Sequence, residues 1–410
     1  MVKFIKSLSF CLSATVCCIF ALIFYAQSYI PDNIIILNDQ SVSVGKLFTI
    51  EKKDETVSVQ ETRKTSDIRE SYNIDISLLN IIPVKQSTVH ISQRHYVVPG
   101  GNIFGLKLYS KGVMVVGTTD VLTSSGNACP AKVSGICAGD IILKINGTNY
   151  SLSSEVANFF KNNKEKTVTL TVLRDGEFIE VKLTPVLSST DGLYKAGIWI
   201  RDSAAGIGTL TYYDPQSKIF ASLGHAVCDV DTCQVIPILN GEAVKAKITG
   251  CYKGSNNKAG ELCGVFDNGS LGPIMINGET GVYGVLNDAD YDAQLIPVAT
   301  EKEIKIGKAQ IISTIDSNGP QYYDIEIIKF NGNGNEMRNM TIQVTDPVLL
   351  EKTGGIVQGM SGSPVIQNGM LVGAVTHVFI NDSSKGYAIF AENMMETSDY
   401  LYDYLYQEAS

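Results

Sequence analysis

The chain has 410 residues, of which 44% are hydrophobic, with 37 glycines, one tryptophan (Trp199) and a net charge of −9. This length gives roughly two or three domains with enough apolar material for their cores. The acidic balance, with no basic block beyond the N-terminus, excludes nucleic acid as a partner, since phosphate binding needs clustered Lys and Arg.

Lys3 and Lys6 precede an apolar run from Leu8 to Ala26, close to the roughly 20 residues that a spanning helix needs. Lysines before the run and none just after it place the N-terminus inside and the remainder outside. Residues 1–28 are therefore expected to be a signal-anchor or transmembrane helix. "AQS" at 26–28 leaves a cleaved signal peptide as the rival reading. Three of the nine cysteines lie in this run, and the other six (Cys129, Cys137, Cys228, Cys233, Cys251, Cys263) follow it. An even number in an exported region permits disulfides without demanding them.

Residues 29–95 read as a connector and a small structured lead-in. Within them, "EKKDETVSVQETRKTSDIRESYN" (51–73) is charged and poor in apolar residues, so it reads as a solvated, cleavable linker. Residues 96–188 read as one compact module. "GLKLYSKGVMVVGT" alternates as a strand does, "CPAKVSGICAGDIILKINGTNY" gives a short helix, a glycine turn and a strand, and "SSEVANFFKNN" starts on Ser with helical spacing. A hairpin turning at Asp175-Gly176 closes it. The "PA…G" helix followed by "GDIILKINGT" resembles a bacterial PDZ domain. That resemblance implies that Phe104-Gly105-Leu106 is the loop whose amides bind a peptide carboxylate, with a target or the protein's own tail adding as a strand.

From 189 to 410 the sequence is dense in short strands. Hairpins are expected around Asp214-Pro215, around "DSNGP" (316–320) and at Asn368-Gly369. Many strands, frequent glycine and little helix indicate a sandwich or two packed antiparallel barrels. "ENMMETSDYLYDYLYQ" (392–407) reads as a closing helix with Met394, Met395, Tyr400 and Leu401 as its apolar stripe. The whole chain is thus mostly β.

"GMSGSP" (359–364) places a serine among small residues between two apolar runs. Acyl transfer needs a nucleophile, a base, a group to orient the base and donors for the oxyanion. Ser361 can be the nucleophile, and the amides of Gly359 and Ser361 the oxyanion hole; the plain alternative is a tight glycine turn. Ser363 is the weaker nucleophile, because Pro364 follows it at a strand start. Of four histidines, His90 and His95 lie before the protease-like region, and His377 sits inside "VTHVF", while His225 follows glycine at a strand end in "SLGHAVCD". His225 is the expected base. For the orienting acid, Asp229, Asp231, Asp288, Asp290, Asp292 and Asp346 are all candidates. His377 is placed on the strand expected to wall the P1 pocket, the site for the substrate residue whose carbonyl is attacked. No cofactor or metal is expected, although His225, Cys228 and Cys233, with Cys251 or Cys263, have a loose zinc-like spacing.

"SLGHAVCDVDT", "VTDPVLL" and "GMSGSPVIQNGMLVGAVTHVFIND" resemble the SpoIVB-type serine peptidases (stage IV sporulation protein B), from about residue 96 onward. The resemblance implies a membrane segment, a PDZ domain (96–188) and a chymotrypsin-like double β-barrel protease domain (189–410). It places the triad on His225, Asp346 and Ser361. Where chymotrypsin-type loops usually carry Asp, this chain has Met360, so its active loop must be held otherwise. The activity implied is that of a signalling endopeptidase that cleaves itself, within 29–95, and then a membrane-bound regulator of an intramembrane protease. Its location would be the space between forespore and mother-cell membranes, and the outcome activation of a late sigma factor. The competing class is a membrane-tethered PDZ scaffold with an inactive protease-like domain.

Overall fold

The computed structural model describes residues 30–38, 41–42, 48–57, 68–78, 80–163, 166–255, 258–332 and 337–407, with scattered positions between 13 and 29. The chain divides into two compact units, Met1–His95 and Tyr96–Ser410. The expected membrane segment lies mostly outside the described residues. Among the described residues no helix is long and apolar enough to cross a membrane.

The first unit contains a four-stranded sheet. Asn33–Leu37 runs parallel to Ile82–Ser92, which pairs antiparallel with Ile68–Leu78, which in turn pairs with Phe48–Val57. This corrects the reading of 51–73 as a solvated linker: both its ends are strand. The missed signal is a period of two just downstream, where Ile74, Ile76 and Leu78 point into the core beside Val84 and Val89. Residues 58–67, in the middle of the supposed linker, lie outside the described residues.

The second unit holds two six-stranded rings. In the first, Ile103–Thr118, Ile238–Tyr252, Glu261–Gly278, Gly281–Val285, Ile219–Ser222 and Ile198–Tyr213 pair in that order. Ile198–Tyr213 then pairs back onto Ile103–Thr118 and closes the ring. Phe104, Leu106, Leu108, Phe220 and Val282 fill it. The second ring is a closed barrel of Gly307–Ser313, Gln321–Phe330, Met340–Val344, Asp382–Phe390, Met370–Phe379 and Pro364–Gln367. Ile311, Ile325, Ile342, Val365 and Val375 fill that one. Between the rings, Tyr212 and Tyr283 of the first pack with Leu371, Ala374 and Ile389 of the second. Met394, Met395 and Leu401 of the closing helix Ala391–Gln407 join them. Tyr400, expected on the same stripe, is exposed.

Turn chemistry behaves as the sequence predicts. Asn146-Gly147, Asp175-Gly176 and Asn368-Gly369 all have both residues at positive φ, between 49° and 84°, the twist that suits two-residue hairpins.

The segment that follows Ser110 leaves the first barrel, forms a separate core and returns. Val113 and Val115 pack there with Ile142, Ile145, Val156, Phe160, Leu170 and Leu183, under the helices Pro130–Ser134 and Ser153–Asn162. Asp140, almost fully buried, is held by both Nε and Nη2 of Arg174 and accepts from the Cys137 amide. Residues 103–109 belong instead to the first barrel. Phe104, Gly105 and Leu106 lie mid-strand and are paired on both edges, with Ile198–Tyr213 and with Ile238–Tyr252. Phe104 and Leu106 are buried, and a Cβ on Gly105 would lie 2.6 Å from the Phe266 ring. The expectation that these three form a carboxylate-binding loop is overturned: their amides are committed to the sheet, and the Phe-Gly-Leu pattern is barrel packing.

Candidate active site

His225 and Ser361 come from different barrels, on segments that run close together where the two pack: a Cβ on Gly362 would lie 2.5 Å from Leu223 N. The buried strand Ile219–Ser222 ends in two left-handed residues, Leu223 (φ 67°) and Gly224 (φ 69°). A leucine in that region is a strained conformation, held here by burial of its side chain in the first barrel. A Cβ on Gly224 would sit 2.9 Å from Thr376 Cγ2 and Ile389 Cγ2 of the second barrel. Only glycine lets the chain pass this close, and it delivers the next residue, His225, to the seam.

The His225 Nδ1 lies 2.8 Å from the Ala226 carbonyl oxygen. A carbonyl only accepts, so this contact puts the proton on Nδ1 and leaves the Nε2 lone pair free, the tautomer a general base needs. Burial pushes the His225 pKa down from its ordinary 6.5, opposed by that carbonyl bond. The base therefore stays neutral to lower pH than a free histidine. We expect kcat/KM to hold as pH falls through 6.5 and to drop only below it; a pH–rate profile with its acid limb above 6.5 would contradict this. The stability linkage has the same sign: the unfolded chain takes up the proton first, so stability present above 6.5 is lost as pH falls toward the folded-state value.

The nucleophile loop is set by peptide planarity. The Gln358 carbonyl accepts from Leu262 N–H at 2.9 Å, and the Met360 carbonyl from Ser363 N–H at 3.0 Å. Across a trans peptide the N–H points opposite to the C=O, so the amides of Gly359 and Ser361 are each turned away from those anchors. Neither donates to an acceptor among the described residues. Gly359 (φ 95°) and Gly362 (φ 93°) take the conformations this requires. Two unpaired amides on one loop are the kind of donors an oxyanion needs.

The loop is clamped from the first barrel by two threonines that sequence reading missed. Thr209 donates its amide to the Ser361 carbonyl (3.0 Å) and its hydroxyl to the Gly359 carbonyl (2.9 Å). The Thr211 hydroxyl donates to the Gly362 carbonyl at 2.8 Å. Gly362 could not be replaced, because a Cβ there would meet the Thr209 oxygen at 2.1 Å. Met360 is fully buried in the second-barrel core, which answers how the loop is held without an aspartate. Ser363 is also fully buried and donates to the Ser313 hydroxyl.

Asp346 is not brought to His225. It is the N-cap of the helix Pro347–Thr353. One carboxylate oxygen accepts from the amides of Val348 and Leu349, and the other from Asp324 N–H. The physical reason lies in "TDPVLL": Asp followed by Pro at the first helical position is a helix start, reached just after the strand Met340–Val344 ends. Three of the other candidate acids are engaged elsewhere. Asp229 and Asp231 pair with Arg201, while Asp290 caps its own turn through Asp292 N–H.

The ring centroid of His377 lies 4.9 Å from that of His225. Burial, together with the nearby His225 and Arg338, lowers the His377 pKa to about 4. On the other side of the loop a groove of about 430 Å³ opens beside Gly359, walled by Ile207, Leu262, Phe266 and Gln358. The six cysteines beyond the N-terminal apolar run are free thiols, and among the described residues no group of three or more His, Cys, Asp or Glu is arranged to hold a metal. The zinc-like spacing around His225 is therefore not assembled into a site.

Residues 192–395 match the SpoIVB peptidase S55 family, and residues 110–184 match the PDZ domain family. Similar solved structures include the active form of the Rv3671c protease of M. tuberculosis, at 14% identity, covering 47% of this chain and 72% of that one, with a TM-score of 0.30. Others are the HtrA-type protease AlgW with a decapeptide (12% identity, 48% and 53% coverage, TM-score 0.29) and human heparin binding protein (10% identity, 47% and 83% coverage, TM-score 0.29). The PDZ match begins after Phe104-Gly105-Leu106, in keeping with their place in the barrel. Residues 192–395 therefore belong to the SpoIVB peptidase S55 family and residues 110–184 to the PDZ family, the pairing that the sequence resemblance implied.

Proposed function

We propose that the protein is a serine endopeptidase of sporulation signalling, with Ser361 as nucleophile and His225 as base. The observation that carries this reading is the pair of unpaired amides, Gly359 and Ser361, on the loop beside a neutral, tautomer-defined His225. In the proposed reaction His225 Nε2 takes the Ser361 hydroxyl proton as Oγ attacks the peptide carbonyl. The tetrahedral oxyanion forms against the two amides, and the imidazolium returns the proton to the leaving amine. A backbone carbonyl, from Ala226, stabilises the imidazolium in place of a carboxylate. Substrates are the chain itself, cut within residues 29–95, and a membrane-associated regulator of an intramembrane protease. The place is the space between forespore and mother-cell membranes, with the N-terminal segment as anchor, and the result is late sigma-factor activation. The PDZ module holds the protein's own tail or the target.

A second reading, a membrane-tethered PDZ scaffold with an inactive protease-like domain, draws on one observation: Asp346 caps a helix and, among the described residues, no carboxylate contributes to the His225 pKa or hydrogen-bonds its ring. A time course of the full-length protein separates the two. The wild type is expected to shorten itself with new N-termini within residues 29–95 and to be labelled at Ser361 by a fluorophosphonate, while Ser361→Ala stays whole and unlabelled. Equal shortening of both proteins, with no labelling, would leave the scaffold as the better reading.

A further inference from the structure

Two polar nitrogens beside the candidate site are buried without a hydrogen-bond partner: Nδ1 of His377 and Nε of Arg338. They belong to one continuous cluster. His377 is the cross-strand partner of Tyr387, so both side chains leave the same face of the sheet. The Arg338 guanidinium stacks over the Tyr387 ring at 5.0 Å, and Phe379 packs against that ring with centroids 4.6 Å apart. At the other end, the His377 ring adjoins that of His225. Arg338 forms no salt bridge with any described carboxylate, and its only described hydrogen bond is through its backbone carbonyl, from Asn331. Asp382 and Lys385, the charged residues of the adjoining strand, are paired with each other. Burying the Arg338 Nε and the His377 Nδ1 unpaired is unfavourable unless something else supplies an acceptor.

The residue whose carbonyl reacts with Ser361 projects its side chain from the atom next to that carbonyl, so its reach covers the groups around Ser361 and His225. We propose that the protein cleaves after acidic residues, with Arg338 and His377 binding the carboxylate of a P1 glutamate or aspartate and Tyr387 and Phe379 forming the apolar walls. The proposal rests on the serine peptidase reading and goes beyond it by naming the substrate class. An arginine suits a carboxylate in particular, since its planar fork donates two parallel bonds. His377, its proton on Nδ1, adds the third donor. A site built from buried donors discriminates strongly against side chains that cannot accept from them.

The test is a set of peptides differing only at P1 (Glu, Gln, Leu, Lys), with fluorophosphonate labelling of Ser361 run in parallel on the same full-length protein. We expect kcat/KM for Glu to exceed that for Leu and Lys by at least about 100-fold, with Gln between. Arg338→Glu should invert the order of Glu and Lys, which loss of packing alone would not do. Should that variant fail to fold, the unmutated protein still decides. A peptide aldehyde ending in Glu must block labelling of Ser361 at lower concentration than one ending in Leu. Labelling of Ser361 together with equal or apolar P1 preference would overturn the acidic-substrate proposal and leave the peptidase reading standing. No labelling and no cleavage would remove both.

Discussion

His225→Ala should reduce kcat/KM for peptide cleavage by on the order of 10⁶-fold, and Ser361→Ala by as much, with the double variant no worse than either. The two groups act as one unit, since a serine hydroxyl without a base is as ineffective as a base without a nucleophile. Asp346→Asn should behave quite differently. Asn keeps a side-chain oxygen and is as good an N-cap as Asp, so the bonds to Val348 and Leu349 survive, and we expect activity within about tenfold of wild type. Asp346→Ala, which removes the cap, should cost about 1 kcal/mol of stability. Steady-state kinetics and thermal unfolding on these five variants check this. A loss of about 10⁴-fold in Asp346→Asn, the scale seen when a triad acid is neutralised, would mean that the carboxylate leaves its helix and reaches His225 during turnover.

The second large effect is expected at Thr209, which touches no substrate. Thr209→Val keeps the shape and removes the hydroxyl that holds the Gly359 carbonyl. A buried carbonyl left unsatisfied costs about 1–3 kcal/mol, and the peptide that carries the oxyanion donor is then free to rotate. If one donor is lost, kcat should fall by about 10²–10³-fold with KM little changed, because the interaction forms only in the transition state. Thr209→Ser should restore most of the rate. Equal rates for Val and wild type would show that the Ser361 carbonyl bond and the buried Met360 side chain hold the loop on their own.

The local features were legible before any coordinates. Asx-Gly turns, a serine among glycines and a histidine behind Gly224 each carry their chemistry within a few residues, and the segments before His225 and after Ser361 run side by side. Asp346 shows where such reading stops. "TDP" is both a strand end and a helix cap, and only the tertiary placement of the Asp324 amide reveals which groups the carboxylate serves. The Thr209 clamp was invisible for a related reason, since it lies 150 residues from the carbonyl it holds in a strand whose alternation explains it equally well as packing. Phe104-Gly105-Leu106 failed in the opposite direction. A short apolar–Gly–apolar pattern fits a peptide-binding loop and a barrel interior alike, and nothing local tells whether both strand edges are filled.

The strands Ile103–Thr118 and Ile198–Tyr213 pair along two stretches, Ile103–Tyr109 with Ser203–Thr209 and Met114–Thr118 with Ile198–Arg201, parted by a register shift at Ser110–Val113. Their outer ends, at Val113, Val115, Ile198 and Ile200, pack into the PDZ core, and their inner ends, at Phe104 and Leu106, build the first barrel. The PDZ module is thus joined to the barrel by two strands at once, which continue on the barrel side of the register shift to Thr209, the residue that grips the Gly359–Gly362 loop. A pull on the module reaches that grip through the strand pair, with the shift at Ser110–Val113 as a place where the pair can flex.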